Sequence, residues 1–253
     1  IDWVLSEDGT QLAWAELSFA SDRWQASIFT ATIDGQNLIQ LPAPPASSQP
    51  TLRVRLLGVS NDASRLMIDI DHPIPTLVTG QLFNQYHNLR LYNAQSRIYL
   101  PIAEDIDCPC PVSAADDMDI LIMLERPIVG NGYAVNVLRF PFSSARSVAA
   151  ADTVYQQGGN IVFNTDTQIL MYALSGIEGS NEESGSALAI VDLISGTQRI
   201  IRGLPGTSLR ISALSDATAY VVDLSANLTL KFDLETETFD VITDKIWIGN
   251  ITG

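Results

Sequence analysis

The feature that most constrains this chain is a strand, turn, strand pattern that occurs five times. Its clearest copy is Trp3-Val4-Leu5-Ser6-Glu7-Asp8-Gly9-Thr10-Gln11-Leu12-Ala13-Trp14. Apolar residues in extended spacing run into Asp8-Gly9, where an aspartate accepts hydrogen bonds from its own turn and a glycine takes φ > 0. An alternating run then leaves. The frame returns at Ser60-Asn61-Asp62-Ala63, Ala115-Asp116-Asp117, Thr165-Asp166-Thr167 and Ser215-Asp216-Ala217. The turn aspartates therefore stand at 8, 62, 116, 166 and 216, in steps of 54, 54, 50 and 50 residues.

The flanking positions agree with the aspartates. Four residues beyond each stands Leu12, Leu66, Ile120, Leu170 or Tyr220, and six beyond stands Trp14, Ile68, Ile122, Tyr172 or Val222. Both columns are apolar throughout and two residues apart, so each copy offers one buried face of a strand just past its turn. Repeats of about 50 residues built only of strands are blades of a β-propeller. The expected fold is all-β, a propeller of five four-stranded blades, either complete or part of a larger one of six or more. The units fall near 1–50, 51–105, 106–150, 151–204 and 205–244, with 245–253 a closing strand or the start of another unit.

The five frames resemble the S-P-D-G repeat of the TolB-type and WD40-like bacterial propellers, which is also found in the propellers of prolyl-oligopeptidase-type peptidases. Ser6-Glu7-Asp8-Gly9 lacks only the proline, and the later copies keep the aspartate and lose the glycine. The resemblance implies a propeller in an exported bacterial protein, periplasmic or extracellular.

Composition narrows the partners. The 253 residues are 46% hydrophobic and 17% charged, which excludes a disordered chain, and no apolar run approaches the roughly 18 residues a membrane span needs. The chain opens on a strand and not on the charged and apolar run of a signal peptide. With 29 acidic against 14 basic side chains the net charge is −15, a field that repels nucleic acid and anionic lipid.

Catalytic constellations are weak. There is no G-x-S-x-G elbow, the two histidines stand in no triad context, and Asp2 is the one acidic residue within an expected innermost strand. Cys108-Pro109-Cys110 has a spacing unfavourable for a disulfide and lacks further soft ligands for zinc, so two thiols near an inner strand are expected. Asp105, Asp107, Asp116, Asp117 and Asp119 match no calcium-loop spacing and read as solvated turn residues. No cofactor or metal is expected.

The excess chain length lies between the second and third strands of the first four units, at 20–25, 71–86, 127–133 and 175–186, whereas the fifth has a bare turn at Ser225-Ala226-Asn227. Recognition falls to such connections in a rigid ring. The reading is a non-enzymatic, protein-binding or scaffold module with Trp24, His72, Phe83 and Tyr86 as aromatic and imidazole contacts. The alternative is a carbohydrate-active or peptidase-associated propeller whose active site lies in loops or in a further domain. Trp3, Trp14 and Trp247 are expected in the core.

Overall fold

The computed structural model describes residues 2–20, 23–44, 54–70, 83, 86, 88–102, 110–126, 132–142, 144–151, 153, 155, 157–176, 185–204 and 208–246. These form five four-stranded antiparallel sheets, with no helix among the described residues. Blade 1 is β1 (Asp2–Leu5), β2 (Gln11–Ala20), β3 (Arg23–Thr32) and β4 (Ile39–Gln40). Blade 2 is β5 (Val54–Val59), β6 (Arg65–Ile70), β7 (Leu89–Asn93) and β8 (Ile98–Pro101). Blade 3 is β9 (Val112–Ala115), β10 (Ile120–Glu125), β11 (Ala134–Arg139) and β12 (Ser144–Val148). Blade 4 is β13 (Gln157–Asn164), β14 (Ile169–Ser175), β15 (Ser186–Asp192) and β16 (Thr197–Ile201), and blade 5 is β17 (Leu209–Leu214), β18 (Thr218–Asp223), β19 (Leu228–Asp233) and β20 (Phe239–Thr243). Every sheet runs in sequence order, each strand pairing with the next.

Four apolar clusters join the blades, and each sits between consecutive sheets. Ala13, Ala15 and Ile28 of blade 1 meet Leu66, Ile68 and Ile70 of blade 2. Met67 and Leu91 meet Leu121 and Met123. Ile120, Ile122 and Leu124 meet Leu170, Tyr172 and Leu174, and Met171 and Ala173 meet Ala219 and Val221. No described cluster joins blade 5 to blade 1.

All five residues of the expected apolar column lie on second strands, but they do not share a face. Leu12, Leu66 and Leu170 point toward the preceding side of the stack, whereas Ile120 and Tyr220 alternate with residues that do so and point the other way. The turns differ as well. In blades 1 and 2 the last ladder bonds are Ser6 N–H to Gln11 and Ser60 N–H to Arg65, which close four-residue turns. In blades 3 and 5 the closing bonds are Asp119 N–H to Asp116 and Thr218 as acceptor from Ser215 N–H, which leave two. Turn length alone does not sort the faces: blade 4 pairs Asn164 with Ile169 across four residues, as blade 3 pairs Ala115 with Ile120, yet Leu170 faces as Leu66 does.

The end blades differ from the middle ones in burial. Leu66, Ile120 and Leu170 are buried, whereas Leu12 and Tyr220 are only half-buried, because each faces away from its one neighbouring blade. Trp14 is likewise half-buried, stacked on Phe29 with ring centroids 5.2 Å apart, and Trp3, expected in the core, is 61% exposed on the same face. Trp247 and the segment 247–253 lie outside the described residues.

The turn aspartates also separate into kinds. Ser6 Oγ donates to Asp8 at 2.7 Å and Ser60 Oγ to Asp62 at 2.8 Å; Thr10 and Ser64 N–H donate to the same carboxylates at 2.9 Å. These two frames are identical in local structure. In blade 4 the acceptor is Asn164, which takes the N–H groups of Asp166 and Thr167, and Asp216 receives Asn164 Nδ2 at 3.1 Å. Blade 3 turns through three consecutive left-handed residues, Asp116, Asp117 and Met118, and sends Met118 into the core beside Gly58.

Candidate functional site

Two places in the described structure depart from the plain stacking of blades. The first is the β2–β3 hairpin. Its strands have ten residues each, and the ladder runs to the pair Ala20 and Arg23. β1 covers β2 only from Leu12 to Ala15, and β4 covers β3 only at Phe29 and Thr30. The hairpin therefore overhangs its sheet as a two-stranded ribbon, with Phe19 60% and Leu17 40% exposed. Trp24, expected in a loop over 20–25, lies instead on β3 opposite Phe19, because the ribbon pairs almost to its tip.

The second place is a cavity of about 620 Å³ lined by the innermost strands of four blades. Leu57 comes from β5, Val112, Ser113 and Ala114 from β9, Asn160 and Ile161 from β13, and Leu209 and Arg210 from β17, with Ser208 and Leu224 beside them. Each innermost strand has one ladder partner within its sheet, so its other edge carries backbone groups free of ladder bonds. Two of these groups are capped across blades: Leu56 N–H donates to Asp2 Oδ2 at 2.7 Å, and Ile211 N–H to Asn160 Oδ1. Asp2 thus serves as an inter-blade tie.

Phe83 and Tyr86, from the long connection between β6 and β7, both line this cavity. Tyr86 is buried, its backbone pairs with Cys110 in an isolated bridge, and Arg55 stands 6.0 Å from its ring centre. Phe83 is half-buried and reaches the inner strand of blade 4, where a Cβ on Gly159 would lie 2.5 Å from its own Cβ. The adjoining Gly158 makes the same allowance for Tyr133, whose ring a Cβ would meet at 2.8 Å. The glycine pair in β13 thus admits aromatic side chains from the second-to-third-strand connections of two other blades. Asn160 and Arg210 are lining residues that sequence reading missed, and the double glycine beside Asn160 is the sequence cue to the close approach of Phe83.

The structure brings Phe83 and Tyr86 together at the cavity wall and leaves Trp24 on the hairpin. His72 and Cys108 lie outside the described residues, and Cys110 is buried. The acidic turn residues are tied to neighbours: Asn61 N–H donates to Asp117, Asp117 N–H to Glu7 at 2.8 Å, and Arg65 pairs with Asp119. Asp8 is held below the usual carboxylate range, by the Ser6 hydroxyl first and the Thr10 N–H second. Asp62 is lowered to about 2, by the Ser64 hydroxyl first, then the Ser64 N–H and the Ser60 hydroxyl.

No protein-family model and no curated protein sequence matches the chain. Among solved structures it is similar to TolB from Acinetobacter baumannii, with a TM-score of 0.56 and 10% identity over 93% of this chain and 53% of that one. It is similar to a puromycin-hydrolyzing peptidase of Mycobacterium tuberculosis, TM-score 0.59 and 13% identity over 99% of this chain and 39% of the other. A chain of a nidogen–laminin complex gives 0.54 and 11% over 92% and 75%. The chain spans about half the length of TolB and two fifths of the peptidase. At these identities the likeness shows architecture alone, and with five stacked four-stranded antiparallel sheets the fold is a β-propeller.

Proposed function

We propose that this chain is a non-enzymatic propeller module that docks another protein, in an exported protein or a larger assembly, through the side on which its second-to-third-strand connections emerge. The observation that carries the reading is the overhanging β2–β3 ribbon with Phe19 exposed near its tip. A two-stranded ribbon beyond its sheet buries little of its own apolar surface and contributes little to the stability of the blade. An exposed aromatic side chain such as Phe19 is costly to solubility, and aromatic residues dominate interface energetics. Trp24 is the second anchor in this reading, His72 in the neighbouring connection is a polar contact, and Phe83 and Tyr86 hold the root of that connection against the cavity wall.

The test is photo-crosslinking in extract of the native source, with a benzophenone amino acid at position 19, 24 or 98. Ile98, 49% exposed on the outermost strand of blade 2, is the control. One protein crosslinked from 19 and 24 and not from 98 supports the reading, provided that the purified partner binds Phe19→Ser and Trp24→Ala at least tenfold more weakly. Crosslinking from 98 alone, or unchanged affinity in both variants, refutes it.

A further inference from the structure

The central cavity is a second site, independent of the ribbon, and the chemistry of its wall is one-sided. Among the described residues, Arg210 is the one charged residue that lines it. Arg210 is exposed, and no described carboxylate pairs with it, in a chain that carries 29 acidic side chains. It stands on β17 opposite Val222, on the face turned away from blade 4, so nothing in the 4–5 core engages it.

The other polar side chains among the described lining residues can each donate a hydrogen bond. Asn160 is held in the left-handed region at φ 52° and spends its Oδ1 on Ile211 N–H, which leaves its Nδ2 hydrogens for the cavity. Ser113 and Ser208 add two hydroxyls. Against these stand the apolar surfaces of Leu57, Leu224 and the two aromatic rings. The volume suits a small molecule, and a few convergent polar groups that fix the ligand's orientation are usual in such a site.

We propose that this cavity binds a small organic anion, a carboxylate on a flat apolar body, with Arg210 pairing the charge and Phe83 and Tyr86 packing the body. Arginine matches a carboxylate with two parallel N–H donors, and a charge-assisted bond is about twice as strong as a neutral one. The net charge of −15 does not oppose this at short range. At physiological salt, exposed charges more than about 8 Å away are largely screened, whereas a contact inside the cavity is not.

The test uses the intact 253-residue chain and two probes of equal shape, phenylacetate and phenylacetamide, followed by ligand-observed NMR titration. Phenylacetate is expected to saturate the protein, and the amide to bind at least tenfold more weakly. Arg210→Gln should remove most of that difference, with an unchanged melting temperature, while Arg139→Gln, an exposed arginine on blade 3, should leave it intact. Phe83→Ala should weaken both probes alike. Equal binding of acid and amide, binding indifferent to Arg210→Gln, or no saturation up to about 10 mM would overturn the assignment.

Discussion

Blade 1 and blade 2 carry the same sequence frame, turned through the same Ser-x-Asp bonds, yet their apolar columns meet different fates. Leu66 and Ile68 have at most 1% of their surface exposed, while Leu12 and Trp14 are half-exposed and Trp3 is 61% exposed. The strands are equivalent; the neighbours are not. Blade 2 is covered on both faces, by Ala13, Ala15 and Ile28 on one and Leu121 and Met123 on the other, whereas among the described residues blade 1 is covered on one. An apolar alternation in a repeat thus encodes which side of a strand wants burial, and only the adjacent repeat delivers it.

The comparison breaks most readily through paired truncations. Leu66→Ala removes buried methyl groups from a sandwiched sheet and should cost about 2 to 4 kcal/mol. Leu12→Ala, at the matching position on the open face, should cost about 1 kcal/mol or less. Urea unfolding midpoints of the two variants measure the difference. Equal losses would mean that Leu12 is covered in solution, and the distinction between end and middle blades would fall.

How far this was legible follows from the same residues. The strand count, the blade number and the long connections at 71–86 and 175–186 were readable, because alternation and turn chemistry are local. Which face each column takes was not, because it shows only in which neighbouring sheet the column packs against, and Asp116 and Asp216 look like Asp8 in sequence. A second regularity was present and passed over. Asp192, Asp233 and Asn93 each end a third strand and accept the N–H three residues on, closing the outer hairpins. The cavity was the least legible, since a lone arginine in an alternating strand reads as a solvent-facing residue until four blades are placed around it.

A smaller effect is expected from acid. In the folded protein Asp62 is lowered from 3.8 to about 2, so the unfolded chain takes up the proton first as pH falls. The stabilisation is complete above about pH 4 and is lost as pH drops toward 2. Asp62 is mostly exposed, so water screens the bonds and the loss stays below about 1 kcal/mol. Asp62→Asn should flatten stability between pH 4 and 2 while leaving the slope above pH 5 unchanged, as read from urea midpoints across that range. A slope unaltered by the substitution would mean that the Ser60-x-Asp62 turn does not hold its bonds in solution.

The smallest effect should come from the open face itself. Trp3 pairs with Trp14 across β1 and β2, and Trp14 stacks on Phe29, so the outward side of blade 1 is an aromatic strip with no described blade against it. Trp3→Ser removes a side chain that is already 61% in water. Substitutions at such positions fall within about 0.5 kcal/mol, so the unfolding midpoint should barely move. Binding of a hydrophobic dye such as anilinonaphthalene sulfonate should fall at the same time, because the substitution shortens the exposed apolar strip. A loss of more than about 2 kcal/mol with unchanged dye binding would place Trp3 in a covered environment. The open face of blade 1 would then be packed like the faces at the four described interfaces, and the contrast with blade 2 would reduce to the identity of what packs there.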